Sequence, residues 1–281
     1  MLYFSDEDID QLIREDLPYL DLTSTLLEIG EQPGRLRYIT RQPTTICATE
    51  EARRILEKLG LAVTISLPTG TQADAGTCIL EARGPAAAVH AAWRVTGNLL
   101  EHASGVATRT RTMVDKVHAV NPQLVVVTTR KSIPFARKLT IKGILAGGAF
   151  PHRLGLSESV LVFDEHLRFI GGRSEFLKKV SALKTQLGEK LIAAEAHDVE
   201  SALELARGGV DLVQLDKLSL ADTRQVAETV HTECPGVKVS IAGGVNLDNC
   251  ADYAATGVDM IVTSALYFGK PADIKAEIEA L

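Results

Sequence analysis

The chain has no excess of positive charge, no apolar run of membrane-spanning length and no paired cysteine motif. Its 281 residues carry 30 Lys and Arg against 36 Asp and Glu, a net charge of -6. General nucleic-acid binders are more often basic overall. No uninterrupted apolar run approaches the ~20 residues that cross a bilayer. The start, Met1 to Asp8, has no basic region before an apolar core, so it does not read as a secretory signal. The four cysteines, Cys47, Cys78, Cys234 and Cys250, form no C-x-x-C pair. His231 precedes Cys234, but no further ligands complete a metal site with them. Buried, reduced thiols in a cytoplasmic protein are expected. There is no G-x-S-x-G elbow and no Cys/His arrangement, so no covalent nucleophile is expected. Low-complexity segments and short repeats are absent too.

What is present is a strand-rich first part followed by a regular alternation. Ser5 before Asp6, Glu7 and Asp8 predicts a capped helix with Ile9, Leu12 and Ile13 on one face. Strands are expected over 36–40, 45–48, 61–67 and 78–83, with a helix between the second and third. Ala86 to Ala103 predicts one long helix, with Gly105 opening or kinking the next. Beyond it, apolar runs at 124–127, 160–163, 191–194, 212–215, 237–241 and 260–262 are mostly separated by helical segments. Near-continuous apolar strands alternating with helices predict a parallel sheet buried on both faces. About six strands fall short of a closed eight-stranded barrel. An open, incomplete α/β barrel is the first expectation and a doubly wound sheet the second.

In such folds ligands bind at the carboxyl ends of the strands. Those ends are polar here. Thr129-Arg130-Lys131 closes the first run, and His152-Arg153 follows the Gly147-Gly148 pair. Arg offers a planar fork matched to carboxylate and phosphate, so a small, multiply anionic ligand is expected. Glu195 and Asp216 close two further runs and could hold Mg²⁺ or ribose hydroxyls. Ala242-Gly243-Gly244 leads from a strand towards a helix, where backbone N–H groups can approach phosphate; a tight turn with Asn246 as helix cap explains it equally well. Thr263-Ser264 ends the last run. His90, His102, His118, His166, His197 and His231 show no arrangement and read as surface or satisfied buried residues. Arg94, beside Trp93, Asn98 and Glu101, reads as structural on composition alone.

These motifs resemble the quinolinate phosphoribosyltransferase family, the carboxylating nicotinate-nucleotide pyrophosphorylases. The resemblance rests on Thr129-Arg130-Lys131, Gly147-Gly148, His152-Arg153-Leu154-Gly155-Leu156, Glu195, Leu215-Asp216 and Gly243-Gly244. Glu15-Asp16, Asp21-Leu22-Thr23 and Asn98 through Thr108 also look like that family. The likeness runs through nearly the whole chain in order. The ending from Thr263 to Lys275 looks more like one branch, the pyrophosphorylase-like ModD proteins linked to molybdenum transport.

The resemblance implies an N-terminal α/β sandwich over 1–104 and an open α/β barrel over 105–265. A C-terminal helix over 266–281 would return to the first domain. It implies a homodimer, with higher oligomers open, whose active site borrows Arg94 from the neighbour. It implies transfer of phosphoribose from 5-phosphoribosyl 1-diphosphate to a carboxylated nitrogen heterocycle, with Mg²⁺ and release of diphosphate. By carry-over, Arg94, Arg130, His152 and Arg153 hold the acceptor's carboxylates, and Lys131 sits between acceptor and diphosphate. Glu195 and Asp216 bind ribose or metal. Ala242, Gly243, Gly244 and Ser264 seat the 5-phosphate.

The chain departs from the quinolinate pattern at several points. Phe163 stands where those enzymes carry a pocket lysine, and Ala193 where they carry a first acid. Lys217 follows Asp216 in place of Asn. Ser240 and Ala242 replace a Glu and a Ser, and Ser264 replaces a Gly. The phosphoribosyl frame looks kept and the acceptor pocket altered, with Lys217 a candidate to restore the lost cation. A non-catalytic phosphometabolite-binding or regulatory protein on the same fold is the alternative. A Schiff-base aldolase or isomerase using Lys131 or Lys217 is a weaker third reading.

Overall fold

The computed structural model describes residues 2–281. In chain order the first part holds α1 (Asp6–Asp16), α2 (Leu22–Leu26), β1 (Pro33–Thr40), β2 (Thr44–Thr45), α3 (Thr49–Lys58), β3 (Ala62–Ser66), β4 (Gln72–Ala73), β5 (Cys78–Pro85) and α4 (Ala86–His118). Then come β6 (Val125–Thr128), α5 (Arg137–Ala146), β7 (Phe150–Pro151), β8 (Val160–Val162), α6 (Asp164–Ile170), α7 (Arg173–Leu187), β9 (Ile192–Ala196), α8 (Val199–Arg207), β10 (Leu212–Asp216), α9 (Leu220–Glu233), β11 (Lys238–Ala242), α10 (Cys250–Ala254), β12 (Met260–Thr263) and β13 (Ile274–Ala280). The chain forms two compact units. One comprises the chain up to Arg111 with Ile133–Gly148 and Tyr267–Leu281; the other comprises Thr112–Ser132 and Ala149–Leu266.

The first unit is built on an antiparallel sheet of order β13-β1-β5-β3. The expected C-terminal helix is instead strand β13, paired antiparallel with β1. Ile274, Ala276, Ile278 and Ala280 alternate with Lys275, Glu277 and Glu279, a period of two that suits a half-buried strand and not a helix. The charged face is matched across the strands. Glu279 lies opposite Arg35 and Glu277 opposite Arg37, with Arg35 paired to Glu279 and the Arg37 guanidinium 2.8 Å from Glu277 and 3.0 Å from Glu279. Beneath the sheet lies a core that includes Leu36, Tyr38, Ile55, Leu80 and Leu100. Helix α1 starts with the expected Ser5 cap, joined by Asp8 in a reciprocal capping box.

Helix α4 runs unbroken through the expected boundary at 104/105. Gly105 neither opens nor kinks it. A Cβ there would lie 2.9 Å from the Lys270 carbonyl oxygen and 3.0 Å from the Ala272 nitrogen, so the glycine serves close passage of the C-terminal segment. Helix α5 packs on α4 by the same device. A Cβ on Gly143 would meet Val106 at 2.9 Å, and one on Gly147 would meet Thr110 at 2.3 Å and the Ala107 carbonyl at 2.6 Å.

Buried beside that contact, the Lys142 ammonium binds Glu50 at 2.8 Å and also Glu51. Glu50 in addition accepts from the Thr69 backbone N–H at 2.8 Å. Burial alone would raise the Glu50 carboxyl, but the bonds from Lys142 and Thr69 outweigh it and hold the group down at about 2.

The second unit carries a seven-stranded sheet of order β7-β6-β12-β11-β10-β9-β8, parallel at every pairing. The first and last of its long strands, β6 and β12, are neighbours, so the strand order is that of an opened ring and not of a doubly wound sheet. The six expected apolar runs are β6, β8, β9, β10, β11 and β12; β7 adds a two-residue edge. Val213, Leu215, Val239, Ile241 and Ile261 are fully buried on one face. The other face carries the polar residues of the site.

Two predictions follow from this packing. Gly147→Ala is expected to destabilise the protein by about 1–3 kcal/mol through overpacking, read as a lower urea midpoint; an unchanged midpoint would refute the close contact. Because the folded Glu50 carboxyl lies below its ordinary value of 4.5, its contribution is complete above that pH and is lost as pH falls through about 2. Glu50→Gln is therefore expected to flatten the loss of stability over that window, measured by urea unfolding at stepped pH.

Candidate active site

Parallel strands end on a common edge, and in the second unit that edge collects the chemistry. Strand β6 delivers Thr129, Arg130 and Lys131, with the Thr129 N–H bonded to the Thr263 carbonyl at 3.0 Å. The His152 N–H bonds the Thr128 carbonyl at 3.0 Å, which sets His152 and Arg153 beside the end of β6. Arg130 and Lys131 are exposed, and His152 and Arg153 are partly buried. Burial, with the Arg153 charge adding to it, pushes the His152 imidazole below its usual range. Burial and then Arg130 lower the Arg153 guanidinium, and only Glu158 opposes this. Such crowding of cations suits an anionic ligand that neutralises them.

At the other side of the sheet stand the acids. Glu195 on β9 is paired in register with Gln214 on β10, and the Gln214 amide donates to Glu195 Oε2 at 3.0 Å. Asp216 ends β10, with Lys217 Nζ 3.4 Å from its Oδ2. Burial, and next the Asp216 charge, raise the Glu195 carboxyl above its ordinary range, against the opposing pull of Gln214 and His197. His197, which the sequence offered no reason to choose, belongs to this group. Its Nε2 lies 3.6 Å from Glu195 Oε1 and 3.6 Å from Asp164 Oδ2, and its Nδ1 lies 3.9 Å from Asp216 Oδ2. The signal that would have found it is spacing: two residues past Glu195 on an extended segment, it shares the same face. Gln214, two before Asp216, could have been found in the same way.

Between cations and acids lie the ends of β11 and β12. Ala242 is buried against Val127 and Val262, so its side chain lines the face and offers no polar group. Its carbonyl accepts the Lys217 N–H at 2.8 Å. Gly243 (φ +81) is obligatory: a Cβ would lie 2.4 Å from Asp216 Oδ1 and 2.5 Å from Lys217 Cγ. Gly244 (φ +83) faces open space at the Cβ position. The position before the helix that follows this turn is Asn249, not Asn246, and the Asn249 side chain makes no capping bond to the helix. Asn246 instead shapes the turn: its N–H donates to Asn249 Oδ1 at 2.8 Å and its side chain to the Gly244 carbonyl at 3.3 Å. Thr263 Oγ1 donates to the Val245 carbonyl at 2.6 Å, tying the Gly turn to the strand that presents half-buried Ser264.

Phe163 is half-buried and packs on Leu161, Ala193 and Leu212. Leu161 and Ala193 are register partners, so the alternation puts Phe163 on the Glu195 face. A cavity of ≈ 420 Å³ that His152 and Ala193 reach is otherwise lined from the amino ends of the strands, by Ser159, Leu191, Leu212 and Met260 among others, and includes neither Phe163 nor the acids of the carboxyl edge. Arg94 belongs to the other unit, on α4, where it is exposed with its guanidinium carbon 5.1 Å from the Trp93 ring centroid. Among the described residues no helix is long and apolar enough to cross a membrane.

Comparisons with known proteins agree with this geometry. Residues 106–276 match the model of the quinolinate phosphoribosyl transferase C-terminal domain, and residues 21–104 match that of the N-terminal domain. A Pasteurella multocida protein carrying the provisional name pyrophosphorylase ModD is 36% identical over 99% of both chains. The rat carboxylating nicotinate-nucleotide pyrophosphorylase is 30% identical over 92% of this chain and 86% of its own. Among solved structures, the nicotinate-nucleotide pyrophosphorylase of Ehrlichia chaffeensis superposes with a TM-score of 0.88 at 25% identity, covering 99% of this chain and 100% of that one. The chain belongs to the quinolinate phosphoribosyl transferase family.

Proposed function

We propose that this protein transfers phosphoribose from 5-phosphoribosyl 1-diphosphate to the ring nitrogen of a carboxylated heterocycle, quinolinate or a relative, releasing diphosphate. Family membership supports a phosphoribosyltransferase. The observation that carries the reading to these residues is the order of groups along the sheet edge. Cations stand at β7 and β6, the Gly243-Gly244 turn and Ser264 at β11 and β12, and carboxylates at β10 and β9. That sequence matches an acceptor acid, a 5-phosphate and a ribose in turn.

In the reaction, the ring nitrogen's lone pair forms a bond to ribose C1 while the C1–oxygen bond to diphosphate breaks, its electron pair leaving on that oxygen. Arg130, His152 and Arg153 orient the acceptor through its carboxylate. Lys131 stands by the departing diphosphate, where fixed positive charge lowers the barrier. Glu195 and Asp216 face the ribose, whose C1 becomes cation-like. The same two acids, held close enough to repel, fit a divalent cation; Mg²⁺ there would offset charge on the leaving group. The reading includes a homodimer in which Arg94 of one protomer completes the partner's site. It places the acceptor in molybdenum uptake or metabolism, on the likeness of the chain's ending to the ModD branch.

Phe163 replaces charge by an apolar surface, so the acceptor is expected to differ from quinolinate at one edge. The test is diphosphate release with Mg²⁺ across a panel of pyridine and pyrimidine carboxylates. Turnover with at least one, lost ~30-fold or more in Arg130→Ala as a charge-assisted bond is removed, supports the proposal. Binding of 5-phosphoribosyl 1-diphosphate with no turnover on any acceptor would favour a phosphometabolite sensor. Phe163→Lys is expected to raise turnover of quinolinate relative to other acceptors by about tenfold. Mixing the inactive Arg94→Ala and Arg130→Ala proteins is expected to restore about a quarter of wild-type activity if sites are shared in a two-fold dimer; no recovery would sink the shared site.

A further inference from the structure

His197 changes the chemistry of the acidic pair. Glu195, His197 and Asp216 each offer one ligand atom, and these atoms all lie within 4.8 Å of one another. Nε2 of His197 lies 3.6 Å from Glu195 Oε1, and it is the other ring nitrogen, Nδ1, that lies 3.9 Å from Asp216 Oδ2; both separations are too long for hydrogen bonds. An ion about 2.1 Å from one ring nitrogen and both carboxylates would draw these ligand atoms from within 4.8 Å of one another to about 3–3.5 Å. Glu195 and Asp216 lie on adjacent strands whose register is fixed by pairing of Gln214 with Glu195, and His197 directly follows β9.

Two further observations bear on the site. The Gln214 amide holds Glu195 Oε2 at 3.0 Å, while it is Oε1 that lies 3.6 Å from His197, the outer-shell arrangement that orients a ligating carboxylate. Next in register to Gln214 lies Ser240. Its side chain is fully buried on the same face and its hydroxyl has no hydrogen-bond partner among the described residues. A buried hydroxyl without a partner is costly, and the water shell of a bound cation would supply one. Lys217, whose ammonium lies 3.4 Å from Asp216 Oδ2, is the rival for that carboxylate. Its side chain is 74% exposed against 21% for Asp216, so solvent competes for the pair.

We propose that Glu195, His197 and Asp216 form a three-ligand site of mixed nitrogen and oxygen donors that selects a borderline divalent transition ion of the Mn²⁺ or Co²⁺ type over Mg²⁺. A nitrogen donor raises affinity for first-row transition ions, Mn²⁺ the weakest-binding of them, whereas Mg²⁺ takes oxygen donors and keeps its waters. The inference deepens the proposed function by naming the metal class of its site, and it rests on that reading's use of Glu195 and Asp216 as ligands. Asp164 Oδ2, 3.6 Å from His197 Nε2, stands beside the ring, where it would join the outer shell of a bound ion.

The test uses the full chain, stripped with chelator and given no substrate. Mn²⁺ is titrated in by electron paramagnetic resonance, and Mg²⁺ is then used to displace it. The expected result is one Mn²⁺ site, at least tenfold tighter than Mg²⁺, with a nitrogen hyperfine coupling in the pulsed spectrum. His197→Ala is expected to remove the coupling and weaken Mn²⁺ at least tenfold while leaving Mg²⁺ within twofold. The side chain is 45% exposed, so the variant should keep the wild-type melting midpoint, which is measured alongside. His197→Gln serves as a second variant without the ring nitrogen. Absence of protein-bound Mn²⁺, equal affinity for the two ions, or an unchanged signal in both variants overturns the proposal. Turnover with Mg²⁺ in a protein that shows no nitrogen coupling would leave the proposed function standing and remove this inference alone.

Discussion

The register of the parallel sheet in the second unit is the constraint on which the rest depends. Side chains alternate along each strand, and all the strands end on one edge. Pairing Gln214 with both Glu195 and Ser240 therefore decides which polar groups face one another. A slip of one residue on β10 would turn Gln214 and Asp216 into the helix-covered layer and bring Val213 and Leu215 onto the site. The apolar residues that pack the far face hold the register, because each of them would lose its burial in such a slip. The geometry of the candidate site is a consequence of hydrophobic packing on the opposite side of the same strands.

Electrostatics then sorts the edge. Like charges gather at both sides, guanidinium groups near β6 and β7 and carboxylates near β9 and β10, with uncharged turns between them. Burial first, and then the neighbouring like charge, lower Arg153 and raise Glu195, and Lys217 and Glu158 offset this only in part. A protein holds such unbalanced groups at a cost, and that cost is characteristic of places where charged ligands bind. The departures from the quinolinate pattern shift this balance locally. Phe163 removes a cation from the floor, and the buried Ser240 hydroxyl stands where a charged acid would be. His197 adds a nitrogen donor beside the remaining acids. Under the proposed function, these positions fall on the acceptor side of the pocket more than on the phosphoribose side.

Much of this was legible in the sequence, for identifiable reasons. The six barrel strands announced themselves as apolar runs because a sheet covered on both faces needs little polar alternation. Arg130, Lys131, Glu195 and Asp216 were visible because each follows such a run, and His152 and Arg153 because they follow the Gly147-Gly148 pair. His197 and Gln214 were not visible, since their significance lies in which neighbour they face across strands, and pairing is a long-range property. The C-terminal strand was misread as a helix although Ile274 to Ala280 alternates strictly; its partner, β1, lies more than 200 residues earlier in the chain. Gly105 looked like a break because glycine disfavours helices on its own. Only the passage of residues 270–272 against it explains its presence inside one.

That last strand also orders events in time. Pairs formed by β13 with β1 join segments from opposite ends of the chain, whereas the strands of the parallel sheet all lie between them. During synthesis the barrel strands emerge from the ribosome before the N-terminal sheet can receive its edge strand, so that sheet exposes one side of β1 until residues 274–280 have been made. An unpaired strand edge is a template for association with other chains. The arginines along β1 act as gatekeepers during that interval, since two like charges on the open edge disfavour pairing with a second copy of itself until Glu277 and Glu279 arrive.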